Sequence, residues 1–305
     1  MAMKEQAPGR CPEVWRPRDA AEACRLKTAF GPDGVFTAGG TLLRTQWESG
    51  SAAMPGTLID LTAIPGLAGI RADEGQLVIG PLVKLSELMR TEAVATAFPL
   101  LAEAVRRIGA PSVRNLATIG GNVASAVGDA LPALLVHEAE LLWHTGGRTE
   151  TTALEDWLAD PGRAQGVRLL TGIRLKRTDA EAPGGPPGRI VGAYRKLGRR
   201  EAFTPSLVTI AVLGRLSEDG TLTGVRMAAG GGSAVPMRLR AAETVLEGAR
   251  VTPDALVRVS EAVLAEYRPA SDAFAGAEYR RTAAANLIAA EWLRLAGAGR
   301  EGDGR

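Results

Sequence analysis

Two glycine pairs, in "TAGGTLL" (37–43) and "TIGGNVASAVGDALPALL" (118–135), constrain this chain more than any other feature. Each follows an apolar, strand-like run and precedes a segment of helical character. A glycine pair at such a junction strips side chains from the backbone where consecutive N–H groups can turn to face one way. A concave set of N–H groups binds anions, and glycine allows close approach. One pair alone means little beyond a tight turn. Two turns of the form small–Gly–Gly–polar can grip a diphosphate from two sides, with Asn122 adding an amide and Thr41 and Thr118 adding hydroxyls. Asp129 stands just before the second apolar run. It either caps a helix there or accepts hydrogen bonds from a ribose or adenine, and the residues leave both open.

Other chemistries find little support. The 36 basic and 34 acidic residues are interspersed, the net charge is +2 and aromatics make up 4%, so no basic stripe or stacking surface points to nucleic acid. Two cysteines, Cys11 and Cys24, and two histidines, His137 and His144, form no ligand pattern for a metal and no nucleophile–histidine arrangement. Neither GxxxxGK[ST] nor a GxGxxG after a strand occurs. The first ten residues lack the apolar core of a signal peptide, and no apolar run approaches the roughly 20 residues a membrane span needs. The expected location is the cytoplasm.

The apolar patterning predicts the elements. Residues 19–30 read as a helix stopped by "GPDG", followed by a short strand into the first glycine turn and a helix from "TLLRTQWESG". Residues 56–64 read as a strand, and "LAGIRADEGQLVIGPL" as a hairpin turning at "ADEG". "KLSELMRTEAVATAFPLLAEAVRRIG" has helical spacing broken near Pro99, and "VRNLATIGGN" reads as an extended segment entering the second glycine turn. "DALPALLVHEAELLWH" reads as a helix, or a helix then a strand, and "GGRTETTALEDWLAD" as a hairpin with a short helix. "DAEAPGGPPGR" (179–189) is too rich in Pro and Gly for regular structure and reads as a linker. Beyond it lie three strand-like runs and then three helices, which predicts a three-stranded antiparallel sheet with helices on one face. Residues 298–305 read as a disordered tail.

Several segments together resemble the FAD-binding subunit of the molybdenum hydroxylases, the group containing xanthine dehydrogenase and the carbon monoxide dehydrogenase medium subunit. They are "VFTAGGTLL" (35–43), "IGAPSVRNLATIGGNVAS" (108–125), "GDALPALL" (128–135), "YRKLGRREAFTPSLVTIAV" (194–212), "AAGGGSAVPMRLRAAETVLEG" (228–248) and "EYRR" (278–281). The resemblance runs from about residue 13 to about residue 295. It implies an α+β chain: a p-cresol methylhydroxylase-type FAD-binding domain over 11–178, made of two α/β subdomains (about 11–58 and 59–178), then the linker and a C-terminal α+β domain over 190–297. It implies FAD as cofactor. Ala38, Gly39, Gly40, Thr41 and Leu42 match the first diphosphate loop, and Thr118, Ile119, Gly120, Gly121 and Asn122, with Ser125 behind them, match the second. Asp129 matches an aspartate that contacts the nucleotide, Leu169 an apolar residue lining the cofactor, and Arg195 or Lys196 a basic residue reaching it. No catalytic side chain and no metal ligand is implied.

In such complexes a molybdopterin large subunit oxidises the substrate, a 2Fe-2S small subunit carries electrons, and the FAD passes them to a small-molecule acceptor. This chain lacks the cysteines for the clusters, so that role needs both partners. Two departures keep a second reading open, a stand-alone flavoenzyme acting directly on a small molecule: Leu42 stands where a polar residue is usual, and "VASAVG" between Asn122 and Asp129 is short. Val83 and Lys84 also replace a more polar pair, which leaves Lys84 as either a solvated lysine or a substitute ligand.

Overall fold

Three short parallel strands open the fold, which is described from a computed structural model covering residues 11–73, 75–177, 188–200 and 205–297. Strand β1 (Glu13–Trp15), helix α1 (Ala20–Phe30), strand β2 (Gly34–Thr37), helix α2 (Thr41–Glu48) and strand β3 (Thr57–Asp60) form a βαβαβ unit with strand order β1-β3-β2. Helix α1 starts where Asp19 accepts from the Glu22 N–H (2.7 Å) and the Glu22 carboxylate accepts from the Arg18 N–H (2.7 Å), a reciprocal cap. It stops at Gly31, whose φ is +55°. Helix α1 buries Ala23 and Cys24 against Ile59, Leu61, Ile64, Leu67 and Leu169. Because the strands are parallel, the segments after them, 16–19, 38–40 and 61–67, share the carboxyl edge of the sheet. The subdomain boundary expected near residue 58 falls inside β3, whose pairing with β2 runs to Asp60.

The second unit surrounds a five-stranded antiparallel sheet of order β4-β5-β8-β6-β7. Strands β4 (Ile70–Asp73) and β5 (Gln76–Ile79) are the expected hairpin. Six helices follow: α3 (Leu85–Leu88), α4 (Glu92–Ala97), α5 (Pro99–Arg106), α6 (Pro111–Arg114), α7 (Ile119–Ala124) and α8 (Leu131–Val136). Proline in the first turn sets the start of α5, α6 and α8, where the missing N–H costs nothing. The chain then makes β6 (Glu140–Thr145), β7 (Arg148–Ala153), α9 (Leu154–Ala159) and β8 (Leu169–Lys176). Apolar side chains from α5, α7 and α8 fill one core with Leu141, Ile173 and Leu175 of the sheet, each fully buried. The extended entry to the second glycine pair is not found. Residues 111–114 are helical, and "IGGN" is itself the first turn of α7, because Thr118 caps it by accepting from the Gly121 N–H (3.1 Å).

The C-terminal unit has four strands rather than the expected three: β9 (Arg189–Gly198), β10 (Ser206–Leu216), β11 (Leu222–Gly231) and β12 (Ala234–Arg238), in antiparallel order β12-β11-β10-β9. The missed strand contains Pro236, which reads as a helix start. An edge strand tolerates proline, since its N–H side need not pair. Helices α10 (Arg240–Leu246), α11 (Pro253–Glu266) and α12 (Ala277–Gly297) cover the sheet. Trp292 of α12 is fully buried there and reaches the space left by Gly214. Of the expected linker only Gly188 and Arg189 are described, and Arg189 already belongs to β9; the expected tail lies outside the described residues.

The two larger units meet through charge as well as apolar packing. Arg238 is buried and pairs with Glu243 through two nitrogens (2.6 and 2.9 Å), while its third nitrogen donates to the Leu135 carbonyl at the end of α8 (3.3 Å). Arg226 donates to the Val136 carbonyl (3.3 Å) and pairs with Glu138 (2.8 Å). His137 packs edge-on against the Phe98 ring. Burial, with the Arg226 guanidinium nearby, pushes its pKa down to about 3, so it is a neutral core residue.

Candidate functional site

Gly39 brings the two glycine segments together. A Cβ at Gly39 would overlap the Leu116 carbonyl oxygen and crowd the Ala117 backbone, so the loop after β2 lies directly on the chain entering α7. Gly40 takes a left-handed conformation (φ +66°) at the N-cap of α2. No side chain caps α2, so the N–H groups of its first turn have no protein acceptor among the described residues. Ala38, Gly39, Gly40, Thr41 and Leu42 therefore form a donor-rich, nearly side-chain-free rim at the carboxyl edge of a parallel sheet, where the helix dipole favours an anion. Leu42 is 43% exposed and Leu116, on the facing segment, 57%. The position expected to be polar is an exposed apolar one.

The second segment has a different character. The Ile119 N–H donates to the Val83 carbonyl (3.0 Å) and the Gly120 N–H to the Pro81 carbonyl (2.9 Å). Lys84 and Thr118 form an antiparallel bridge. The Gly121 N–H is taken by the Thr118 hydroxyl, and the Ser125 hydroxyl donates to the Asn122 carbonyl (2.7 Å). The main-chain donors of Ile119, Gly120 and Gly121 are therefore already engaged. Ile119 is fully buried in the core. A Cβ at Gly120 would stand 2.5 Å from Pro81 Cβ, whereas one at Gly121 would meet only the Thr118 hydroxyl, at 3.2 Å, on an exposed face. The expectation of two equivalent nests gives way to one donor loop and one smooth wall.

Asn122 ties this wall to the next segment. Its Oδ1 accepts from the Ala130 N–H (3.2 Å), and Gly128 packs so tightly on it that no Cβ fits there. The short 123–128 connection closes with Ala126 in a left-handed conformation (φ +55°). Asp129 does not cap α8, whose N-cap is Ala130 without a side-chain bond. Its Oδ1 accepts from the Ser206 hydroxyl (2.6 Å), its Oδ2 from Lys196 Nζ (2.8 Å), and its main-chain oxygen from the Tyr194 hydroxyl (2.8 Å). Lys196 Nζ also donates to the Arg107 carbonyl (3.1 Å). Tyr194 is fully buried, and burial, reinforced by the Asp129 charge, pushes its phenol pKa well up.

Strand alternation separates the two basic candidates. Lys196 shares the Tyr194 face and reaches Asp129. Arg195 points to the opposite face, where its Nε donates to Glu291 of α12 (2.6 Å). Leu169 is buried in the small core beneath α1, against Ala23, Cys24 and Ile59. Sequence reasoning missed Tyr194, Ser206, Leu116 and Pro81. Only Tyr194 left a signal, its two-residue spacing from Lys196 in a strand-like run. A cavity of about 380 Å³ opens elsewhere on the carboxyl edge of the parallel sheet. Arg18, Asp19, Leu67, Arg71 and Thr171 line it, and neither glycine segment does. Among the described residues, no group of His, Cys, Asp and Glu is arranged to hold a metal, and no helix is long and apolar enough to cross a membrane.

Comparison with known proteins gives consistent matches. The family model for the FAD binding domain in molybdopterin dehydrogenase matches residues 9–175, and that for the CO dehydrogenase flavoprotein C-terminal domain matches residues 192–295. The carbon monoxide dehydrogenase medium chain of Afipia carboxidovorans is 30% identical over 287 residues, covering 90% of this chain and 92% of its own length. The xanthine dehydrogenase FAD-binding subunit of Escherichia coli O157:H7 is 26% identical over 265 residues, covering 85% of this chain and 87% of its own. Among solved structures, carbon monoxide dehydrogenase from Hydrogenophaga pseudoflava superposes with a TM-score of 0.84 at 28% identity, covering 96% of this chain and 99% of that one.

Proposed function

Since the chain belongs to the family of FAD-binding subunits of molybdopterin dehydrogenases, we propose that it holds FAD where the two glycine segments meet and serves as a flavin electron-transfer subunit. One observation carries the reading: Gly39 packs on Leu116, which sets an uncapped helix N-terminus beside the glycine face of α7. A diphosphate fits this cradle, since the rim offers N–H donors and a Cβ at Gly121 would project onto its exposed face. The Gly39, Gly40 and Thr41 amides would donate to the phosphates. Gly120, Gly121 and Asn122 would shape the wall, and the amide nitrogen of Asn122, which has no acceptor among the described residues, can donate as well. The Asp129 carboxylate retains acceptor capacity beyond its two protein partners and is proposed to take a hydrogen bond from the nucleotide. Lys196 contributes a fixed positive charge beside it, and Leu169 supports the apolar side from below.

When bound, FAD supplies the redox chemistry, taking up electrons and passing them on. The chain's own residues bind and orient it, and no side-chain acid or base is assigned. The family's members named above are subunits of dehydrogenases with different substrates, which supports the subunit reading over a stand-alone flavoenzyme. The partners proposed are a molybdopterin large subunit and a 2Fe-2S small subunit, with a small-molecule electron acceptor and a cytoplasmic location. The domain division proposed is a p-cresol methylhydroxylase-type FAD-binding domain over 11–178, with its subdomain boundary after β3, then the linker and a C-terminal domain over 190–297. The test is direct. The chain purified with its partner subunits is denatured, and the released flavin is identified by chromatography. FAD at one per chain is expected, and a complex that releases no FAD and takes up none when it is added refutes the reading.

A further inference from the structure

Asp129 is held at three points, all from the C-terminal sheet. Ser206 and Lys196 engage its two carboxylate oxygens, and Tyr194 engages its main-chain oxygen. From its own unit, Asn122 holds the neighbouring Ala130 N–H. The Tyr194 hydroxyl and the Ser206 hydroxyl are spent on Asp129, and both residues are buried. Neither is needed to close the sheet, since β9 and β10 pair through their backbones from Gly198–Ser206 to Arg189–Leu216. A tyrosine filling this space for packing alone has no use for its hydroxyl, which would be costly to bury unpaired.

We infer that Tyr194 and Ser206 are positioning residues for the cofactor site: they fix the main chain and the carboxylate of Asp129, so the C-terminal sheet sets the geometry of a loop belonging to the FAD-binding unit. The inference rests on the flavin reading above and adds a dependence that reading does not require. FAD affinity becomes a property of the docked pair of units, although neither hydroxyl touches the cofactor.

The test uses Tyr194→Phe and Ser206→Ala in the full chain purified with its partner subunits. FAD is removed, and its dissociation constant is then measured by titration together with the visible circular dichroism of the bound flavin. The matched control is Tyr267→Phe, which deletes an equally buried hydroxyl whose bond goes to the Gly230 carbonyl (2.9 Å), away from Asp129. Losing one such hydrogen bond, neutral at Tyr194 and to a carboxylate at Ser206, predicts an FAD dissociation constant raised at least about three- to tenfold in each test variant, with altered dichroism. The control stays within about twofold. If Ser206 acts through Asp129, Ser206→Ala adds nothing in an Asp129→Ala background, where the acceptor is gone. Unchanged FAD affinity with a lowered melting temperature overturns the inference and leaves the flavin reading intact. So does full additivity in the Asp129→Ala background. Wild-type protein that takes up no FAD sinks both. Tyr194→Phe keeps the ring in the core, so a misfolded Ser206→Ala still leaves one decisive variant.

Discussion

Adjacent glycines in α7 separate the demands of folding from those of binding, and adding one methyl group at each reads them individually. At Gly120 the new Cβ would stand 2.5 Å from Pro81 Cβ and 2.6 Å from the Pro81 carbonyl oxygen. Relief requires that segment to retreat by most of an ångström, which stretches the 2.9 Å Gly120–Pro81 hydrogen bond. Overpacking of this kind costs about 1–3 kcal/mol and a weakened hydrogen bond about 1 kcal/mol, against a gain of up to about 1 kcal/mol from replacing glycine in a helix. Gly120→Ala is therefore destabilised by about 1–3 kcal/mol on balance. At Gly121 the only neighbour is the Thr118 hydroxyl at 3.2 Å, and the same helical gain applies, so stability changes by no more than about 1 kcal/mol. If a diphosphate lies against this face, Gly121→Ala weakens FAD binding at least about tenfold, or about 1.4 kcal/mol, and Gly121→Val abolishes retention. Urea unfolding of flavin-free protein and FAD titration measure the two quantities separately. Wild-type FAD affinity in Gly121→Ala, with loss only in the unstable Gly120→Ala, would show that the second segment is a structural brace and no wall of the site.

Further outcomes follow from the same geometry. Gly39→Ala forces the first loop off Leu116 and is expected to lower both stability and flavin content, read by thermal melting and by the flavin-to-protein ratio. Asp129→Ala leaves the Lys196 ammonium without its carboxylate in a largely buried seam, which costs about 3 kcal/mol or more in a pair of this kind. Lys196→Met in the same background should restore most of that stability, as measured by urea unfolding. Glu243→Gln strips the buried Arg238 of its nearer carboxylate, leaving only Glu138 at 3.6 Å, and should destabilise the C-terminal unit by about 1–3 kcal/mol. His137 has a folded pKa depressed to about 3, below the unfolded value of about 6.5, so only the unfolded chain gains its proton as pH falls between them. Its contribution is thus intact above about pH 6.5 and is lost toward pH 3 at up to about 1.4 kcal/mol per pH unit. His137→Phe should flatten the acid side of the stability curve relative to wild type, and parallel curves for the two proteins between about pH 6 and pH 4 would refute the assignment.

Local signals found the glycine segments and most elements, because Gly–Gly junctions, prolines in first turns and apolar periodicity act over a few residues. Two readings failed where a local signal has two meanings. Pro236 opens a helix in sequence terms, yet it sits in an edge strand that needs no N–H. "TIGGN" resembles the first loop in composition, but Thr118 folds it into a helical turn whose donors are consumed by Pro81, Val83 and Thr118 itself. The partners of Asp129 were illegible for another reason. Tyr194 and Ser206 lie 65 and 77 residues away, and only the docking of two units brings them close. The choice between Arg195 and Lys196 needed only the phase of a strand, which becomes known once Tyr194 is seen to face the seam.

The seam is built to hold charge and position still. An acid–base site needs a group whose pKa lies near the working pH. Here burial and the Asp129 charge push the Tyr194 phenol well up, so it keeps its proton and continues to donate to the Asp129 carbonyl. Burial holds His137 neutral at the far side of α8. Neither group answers to modest changes in pH, and the hydrogen bonds fixing the 122–130 loop persist with them. Passing electrons makes a different demand on a protein, a cofactor held at constant orientation by groups that do not move with each transfer. A loop clamped at Ala130 by its own unit and at Asp129 by the C-terminal sheet meets that demand. The clamp also gives the C-terminal unit a part in positioning the proposed site, although the glycine cradle lies wholly outside it.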